Sequence, residues 1–125
     1  MVKGEFMKRK VSILLAVVLL TALGCATWEK TTYSDIGIAG VTYNQTLQAA
    51  ADLKKQGKIT DAQWVEIDKY GRVFFVSYNG VIDAFSAYLR LKTVDSKNIV
   101  MALIGEMSLN LAKVQNYLTV LKGGN

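Results

Sequence analysis

The side chains that could carry out chemistry are few in this chain of 125 residues. It has no histidine and one cysteine, Cys25, so the commonest general base and metal ligand is missing. The strongest carboxylate candidates for acid–base catalysis or metal binding are Asp52, Glu66, Asp68, Asp83 and Glu106. Glu66 and Asp83 fall on the outer side of the helical pattern described below, and no two acids recur at i, i+4 with a ligand between them. We therefore predict a solvated acidic face, with no catalytic residue, metal site or cofactor.

Cys25 directly follows an apolar segment with a basic start. Residues 8–10 read Lys-Arg-Lys, and residues 11–23 form an apolar run. This run has the length of a secretory signal and is short for a membrane span. The small residues Ala22 and Gly24 stand before a potential cleavage point. A lone cysteine cannot form an intramolecular disulfide, so in an exported chain it needs another use.

The segment Thr21-Ala22-Leu23-Gly24-Cys25 resembles the lipobox of bacterial lipoproteins, which are processed by signal peptidase II. The resemblance implies that residues 1–24 are a cleaved signal peptide, that Cys25 carries a diacylglycerol and an acyl chain such as palmitate, and that residues 25–32 form a lipidated tether. Each buried methylene contributes about 0.8 kcal/mol, so several chains on one residue give stable attachment. Because Ala26 and not Asp follows the cysteine, the resemblance implies the periplasmic face of the outer membrane, if the host has two membranes.

Other interpretations of the N-terminus stay open. The lipobox family usually has Leu where this chain has Ala22. A secreted, unlipidated protein cut after Gly24 would leave Cys25 as a free thiol, and an uncleaved segment would remain as a transmembrane helix. Either Met1 or Met7 could be the start, because Met7 directly precedes the basic residues.

The positive charge of the chain is concentrated in the expected signal peptide. That segment carries +3 of the net charge of +5 and leaves +2 for the remaining residues. This excludes a nucleic-acid partner, which requires a clustered basic surface on the folded part. The remainder, about 100 residues, suffices for one domain. The absence of proline favours long helices.

The first helix is predicted over about residues 33–56. Its apolar positions recur every three or four residues: Tyr33, Ile36, Gly40, Tyr43, Leu47, Ala50 and Leu53. Gly37 and Gly40 each cost about 1 kcal/mol relative to alanine, so we expect the helix to fray in its first half or to begin near Thr42. Gly57 is predicted to end it.

The second helix is predicted over about residues 61–92. Thr60 and Gln63 have the spacing of a capping box, and Ile59 and Trp64 stand at the positions of a hydrophobic staple. The apolar positions continue at the same period: Trp64, Ile67, Gly71, Phe74, Tyr78, Val81, Phe85 and Tyr88. A rival interpretation, a β-hairpin turning at Asn79-Gly80, is disfavoured because the helical period continues beyond it.

The third helix is predicted over about residues 96–122, capped by Asp95 or Ser96. Its apolar positions are Val100, Leu103, Met107, Leu111, Val114, Leu118 and Leu121. The turns between the helices are short, which makes neighbours antiparallel. The predicted fold is therefore all-α, an up-down-up three-helix bundle over residues 33–122. The hairpin at residues 53–64 is similar to the small helical hairpins called SHOCT domains and to small helical bacterial lipoproteins.

Two sets of side chains are candidates for binding. Aromatic residues of the inner stripes would either line a pocket or, as we favour, form the core: Tyr33, Tyr43, Trp64, Phe74, Tyr78, Phe85 and Tyr88. Residues 73–76 and 99–104 are apolar around the whole helix, so either the neighbouring helix covers them or they form a self-association or partner surface. That candidate interaction surface consists of Val73, Val76, Ile99, Met101 and Ile104.

The expected function is that of a cell-envelope protein anchored in the membrane through lipidated Cys25. It would act by contact, structurally, as an oligomer or on an envelope partner, without catalysis. Two alternatives remain, namely a lipid-anchored module that binds a small apolar ligand between its helices, and a membrane-active lysis-type lipoprotein. The helix order also places the turn at residues 92–96 on the membrane side, with Arg90, Lys92 and Lys97 near the headgroups.

Overall fold

The computed structural model describes the backbone of residues 2–123 and the side chains of residues 27–123. Three α-helices make up this part of the chain: α1 (Val2–Lys55), α2 (Asp61–Leu91) and α3 (Val94–Gly123). No strand occurs within residues 2–123, so the predicted all-α class is confirmed. The rival hairpin at Asn79-Gly80 is wrong, because both residues lie inside α2.

The chain divides into two compact units, Met1–Asp35 and Ile36–Asn125. The first contains the N-terminal part of α1, where Thr32 is buried and Tyr33 is 74% exposed. The lipobox and Cys25 lie outside the described side chains, so the signal peptide and the lipidation stay predictions. The second unit holds the remainder of α1 together with α2 and α3, and it is the three-helix bundle.

The start of α1 differs from the prediction. The helix is continuous through the region where a start at residue 33 or 42 was expected, and the described part of the tether at residues 25–32 is helical. Ile36 and Ala39 are buried. A glycine costs only about 1 kcal/mol inside a helix, and burying a side chain such as Ile36 offsets more than that.

The buried positions of α1 differ by one residue from the predicted apolar stripe at two places. The buried residues of α1 in the bundle unit are Ile36, Ala39, Thr46 and Ala50. Ala39 and Thr46 stand where Gly40 and Leu47 were expected, and these two are half-buried. The Thr46 hydroxyl donates to the Thr42 carbonyl at 2.8 Å, so burying it leaves no polar atom unpaired.

The connection from α1 to α2 follows the local chemistry of its residues. Gly57 adopts a left-handed φ of 70°. The Lys58 N–H donates to the Leu53 carbonyl at 2.9 Å, and the Gly57 N–H donates to the Lys54 carbonyl at 3.1 Å. These two bonds form a Schellman motif, so the predicted helix end is confirmed.

The capping box of α2 is also confirmed. The Gln63 N–H donates to the Thr60 hydroxyl at 3.1 Å, and the Thr60 N–H donates to the Gln63 side-chain carbonyl at 2.8 Å. Ile59 is 5% exposed and shares a core cluster with Trp64, as expected for the staple.

The core of the bundle joins all three helices. Ala50 of α1, Ile67 of α2 and Leu118 of α3 form one buried cluster. Most of the inner stripes predicted for α2 and α3 are buried: Ile67, Gly71, Phe74, Val81, Phe85, Tyr88, Val100, Met107, Val114 and Leu118. The rings of Tyr70 and Tyr117 lie 5.4 Å apart. Ser77 contacts Asn110 further along α2, so α2 and α3 run antiparallel.

The start of α3 is corrected. Neither Asp95 nor Ser96 is the cap; the helix begins at Val94, with Thr93 before it. The Ser96 N–H donates to the Thr93 hydroxyl at 3.1 Å, and the Thr93 N–H donates to the Ser96 hydroxyl at 3.2 Å. This is a capping box in which serine replaces the usual Glu or Gln.

Candidate interaction surface

An open groove runs along the outer side of the α2–α3 pair, and we call it the α2–α3 groove. Its volume is about 480 Å³. It is lined by Arg72, Val73, Val76, Ser77, Gly80, Leu103, Glu106 and Asn110. These side chains meet because residues three or four apart share a face of a helix and the two helices run antiparallel. The surface offered by the groove is mostly apolar.

The structure brings together only part of the predicted interaction surface. Val73 is 53% exposed and Val76 is 72% exposed, and both line the groove. Ile99 is exposed one turn before Leu103 on the same face of α3. Met101 is exposed on the opposite side of α3.

Ile104, the fifth predicted residue, is half-buried. At about 100° per residue, neighbouring positions of a helix cannot all face one groove. The apolar run at residues 99–104 is therefore divided between different faces of α3.

The floor of the groove contains a buried polar pair. The Asn110 side-chain amide donates to the Ser77 hydroxyl at 3.1 Å, and this hydroxyl donates to the Phe74 carbonyl at 2.8 Å. Sequence reasoning missed this pair. Its signal was Asn110 itself, a polar residue between Met107 and Val114 on the inner stripe of α3. A satisfied polar pair inside an apolar contact favours one alignment of the two helices over shifted ones.

The rim of the groove is charged. The Arg72 guanidinium pairs with Asp68 one turn earlier at 3.0 Å, and Lys69 pairs with Glu66 at 3.4 Å. All four side chains are substantially exposed, so each pair contributes about 0–1 kcal/mol. Glu106 stands on the α3 side. Arg72 and Glu106 are therefore the charged side chains among the groove lining, and Asp68 is paired with Arg72.

Two tyrosines lie on two glycines between α1 and α2. A Cβ added at Gly40 would lie 2.9 Å from the Tyr78 hydroxyl oxygen, and one at Gly71 would lie 2.5 Å from the Tyr43 hydroxyl oxygen. Phe74 lies between the rings, 4.5 Å from Tyr43 and 5.7 Å from Tyr78 by centroids. We call this arrangement the Tyr–Gly pairs. These glycines permit close approach, and the aromatic rings there are packed core.

Among the described residues, Tyr43 and Asp61 have pKa values shifted from their ordinary range. Burial, together with the negative charge of Asp68, raises the pKa of the Tyr43 phenol. A hydrogen bond and the positive charge of Lys54 lower the pKa of Asp61. Asp61 is the first residue of α2, so its negative charge also interacts favourably with the positive end of the helix dipole.

Among the described residues, no group of three His, Cys, Asp or Glu side chains is placed to hold a metal ion. No helix in this part of the chain is long and apolar enough to span a membrane. Comparison of the chain with protein-family models, with curated proteins and with solved structures finds no match.

Proposed function

We propose that this protein is a lipid-anchored component of the cell envelope that acts by contact through the α2–α3 groove, without catalysing a reaction. The anchor rests on the lipobox resemblance at Cys25. The contact rests on one observation, namely that Val73 and Val76 leave more than half of their surface exposed beside a mostly apolar groove.

The physical argument for contact is the cost of this exposure. Monomeric soluble proteins rarely expose contiguous apolar patches larger than a few hundred Å², and larger ones mark sites of interaction. Val73, Val76 and Leu103 are clustered and have a charged rim, which is the usual arrangement of an interface centre. The rim carries both positive and negative side chains. It can therefore orient the partner without requiring that the partner be strongly charged.

Site-specific photo-cross-linking in the membrane fraction tests this function. A photoreactive residue at Val76 should form one cross-linked species of constant mass, either a dimer of this chain or a complex with an envelope protein. The same residue at Val41 is the control, because Val41 is a 58% exposed valine on α1 that does not line the groove. Equal cross-linking at both positions, or none at either, would contradict the proposal.

A second candidate function, binding of a small apolar ligand, is favoured by the volume of the groove. Ligand sites span about 300–1,000 Å³ and combine apolar walls with a few polar groups, and the Ser77–Asn110 pair would supply the latter. A ligand retained through purification of the wild type and lost in Gly80→Leu, which fills the groove, would support this alternative.

A further inference from the structure

The end of the bundle formed by the α2–α3 connection exposes apolar side chains. We call this end, residues 89–99, the α2–α3 tip. Leu91 is the last residue of α2 and Val94 the first of α3. The exposed fractions are 43% for Leu89, 63% for Leu91, 74% for Val94 and 56% for Ile99. Four large aliphatic side chains therefore face outwards around a single turn.

The same tip is basic. It contains three basic residues, Arg90, Lys92 and Lys97, and one acidic residue, Asp95. Lys92 adopts a left-handed φ of 53° and donates its N–H to the Tyr88 carbonyl at 2.7 Å. Glycine would adopt this conformation without strain. The lysine found here instead adds a positive charge to the tip.

Charge alone does not distinguish the two ends of the bundle. The opposite end carries Lys54, Lys55, Lys58 and Lys122 against Asp52 and Asp61, the same excess of two positive charges. Apolar exposure does distinguish them. Ile59, which flanks the α1–α2 turn, is 5% exposed, whereas Leu91 and Val94 flank the α2–α3 turn and are largely exposed. Among the described residues near the opposite end, Val65 and Val120 are exposed, but Val65 lies four residues after the start of α2 and Val120 three residues before the end of α3, so neither flanks the α1–α2 turn.

Within the bundle unit, the first residues of α1 lie towards the α2–α3 turn. Tyr43 lies on Gly71 and Gly40 lies near Tyr78, so α1 runs antiparallel to α2. The first residue of the unit, Ile36, is therefore displaced towards the α2–α3 turn rather than the α1–α2 turn. Cys25 precedes Ile36 by eleven residues in the sequence.

We propose that the α2–α3 tip docks onto an anionic lipid surface, with its aliphatic side chains at the headgroup–acyl boundary and its basic side chains among the phosphates. Exposed apolar side chains interspersed with lysine and arginine are the composition of membrane-interface segments. Each basic residue near an anionic surface raises binding by about fivefold. The inference extends the proposed function by a second membrane contact, and it relies on that function only for bringing the protein to a membrane.

Spin labelling of the full-length chain in the Cys25→Ser background tests the inference. Labels are attached through Val94→Cys at the tip or Gln56→Cys at the opposite end, and the protein is reconstituted with vesicles of equal parts phosphatidylcholine and phosphatidylglycerol. Reconstitution in this background does not require the acylated cysteine, so a failure of lipidation at Cys25 leaves the outcome unaffected. We expect the Val94 label to be several-fold more accessible to a lipid-confined relaxation agent than the Gln56 label.

Charge variants provide the matched comparison. Arg90→Gln, Lys92→Gln and Lys97→Gln together should reduce lipid access at Val94 by more than tenfold, because each loses about a fivefold contribution. Lys55→Gln, Lys58→Gln and Lys122→Gln, which remove the same charge at the other end, should leave it unchanged. Equal lipid access at Val94 and Gln56, or the same access in vesicles of phosphatidylcholine alone, would overturn the proposal. Dipolar broadening between Val94 labels without lipid access would assign the tip to self-association and overturn it as well.

Discussion

Single residues at the helix ends determine where the helices of this bundle begin. Thr60 bonds to the Gln63 N–H at the start of α2, and Thr93 bonds to the Ser96 N–H at the start of α3. Each hydroxyl satisfies a backbone donor that has no partner within its helix. The two caps are local, and the residue types that make them are visible in the sequence.

Thr60→Ala should lower the free energy of unfolding by about 1 kcal/mol, because the cap loses its acceptor while the core is unchanged. The urea midpoint measures the change. Thr119→Ala is the control: Thr119 is also exposed, and its hydroxyl donates only to the Gln115 carbonyl within α3. Equal midpoints for the two variants would mean that the Thr60 cap does not stabilise α2.

Two glycines of α2 differ in what surrounds them, and this gives a second residue-scale prediction. Gly80→Ala meets nothing within 4 Å, so it should stabilise the helix by up to about 1 kcal/mol. Gly71→Ala would place its Cβ 2.5 Å from the Tyr43 hydroxyl oxygen, so it should destabilise the protein by about 1–3 kcal/mol through overpacking.

Thermal or urea unfolding of both variants checks the difference. Adding Tyr43→Phe to Gly71→Ala removes the clashing oxygen and should recover part of the loss. If Gly71→Ala proved as stable as Gly80→Ala, the close approach of α1 and α2 at the Tyr–Gly pairs would be wrong.

The phenol of Tyr43 predicts a loss of stability at alkaline pH. Burial and the charge of Asp68 raise its pKa in the folded protein. A raised folded-state pKa contributes stability that is complete below the unfolded value of about 10 and is lost as the pH rises through the folded value. Wild type should therefore lose stability relative to Tyr43→Phe above about pH 10. A difference that stayed constant into alkaline solution would contradict the assignment, and absorbance titration of the phenol checks the pKa directly.

The alignment of two neighbouring helices depends on contacts between side chains of both helices. Between α2 and α3, the buried Ser77–Asn110 bond lies in an otherwise apolar contact. Removing one partner of a buried hydrogen bond costs more than replacing both by apolar groups. The pair therefore makes its largest contribution by penalising shifted alignments of the two helices.

Ser77→Ala should destabilise the protein by about 1–3 kcal/mol, because the Asn110 amide loses its acceptor. Asn110→Leu should cost less, since the Ser77 hydroxyl still donates to the Phe74 carbonyl. The double variant should be more stable than the sum of the single changes, and a double-mutant cycle in urea measures this coupling. Additive effects would show that the two side chains act independently.

The molecule as a whole is expected to be held at a membrane through Cys25. Wild-type protein expressed in bacteria should incorporate radiolabelled palmitate, and Cys25→Ser should not. Cys25→Ser combined with Thr27→Cys is the control, because it restores a thiol outside the lipobox. Equal labelling of wild type and Cys25→Ser would refute the anchor, and labelling of the control would show non-specific thiol acylation.

The sequence by itself determined the helical class, the capping box and inner stripe of α2 and the inner stripe of α3, because capping and periodicity act between residues three or four apart. It also contains a segment that resembles a lipobox, and this resemblance rests on a local pattern of residues. Only the tertiary structure decided that Ala39 and Thr46 are buried in place of Gly40 and Leu47. It also decided that Tyr43 lies on Gly71, that Ser77 meets Asn110, and that Val73 lines a groove while Met101 does not. These features depend on how far each helix is rotated and shifted against its neighbour. A periodic pattern limits that rotation only to about one residue, or 100°, and the packing of rings against glycines selects the final position.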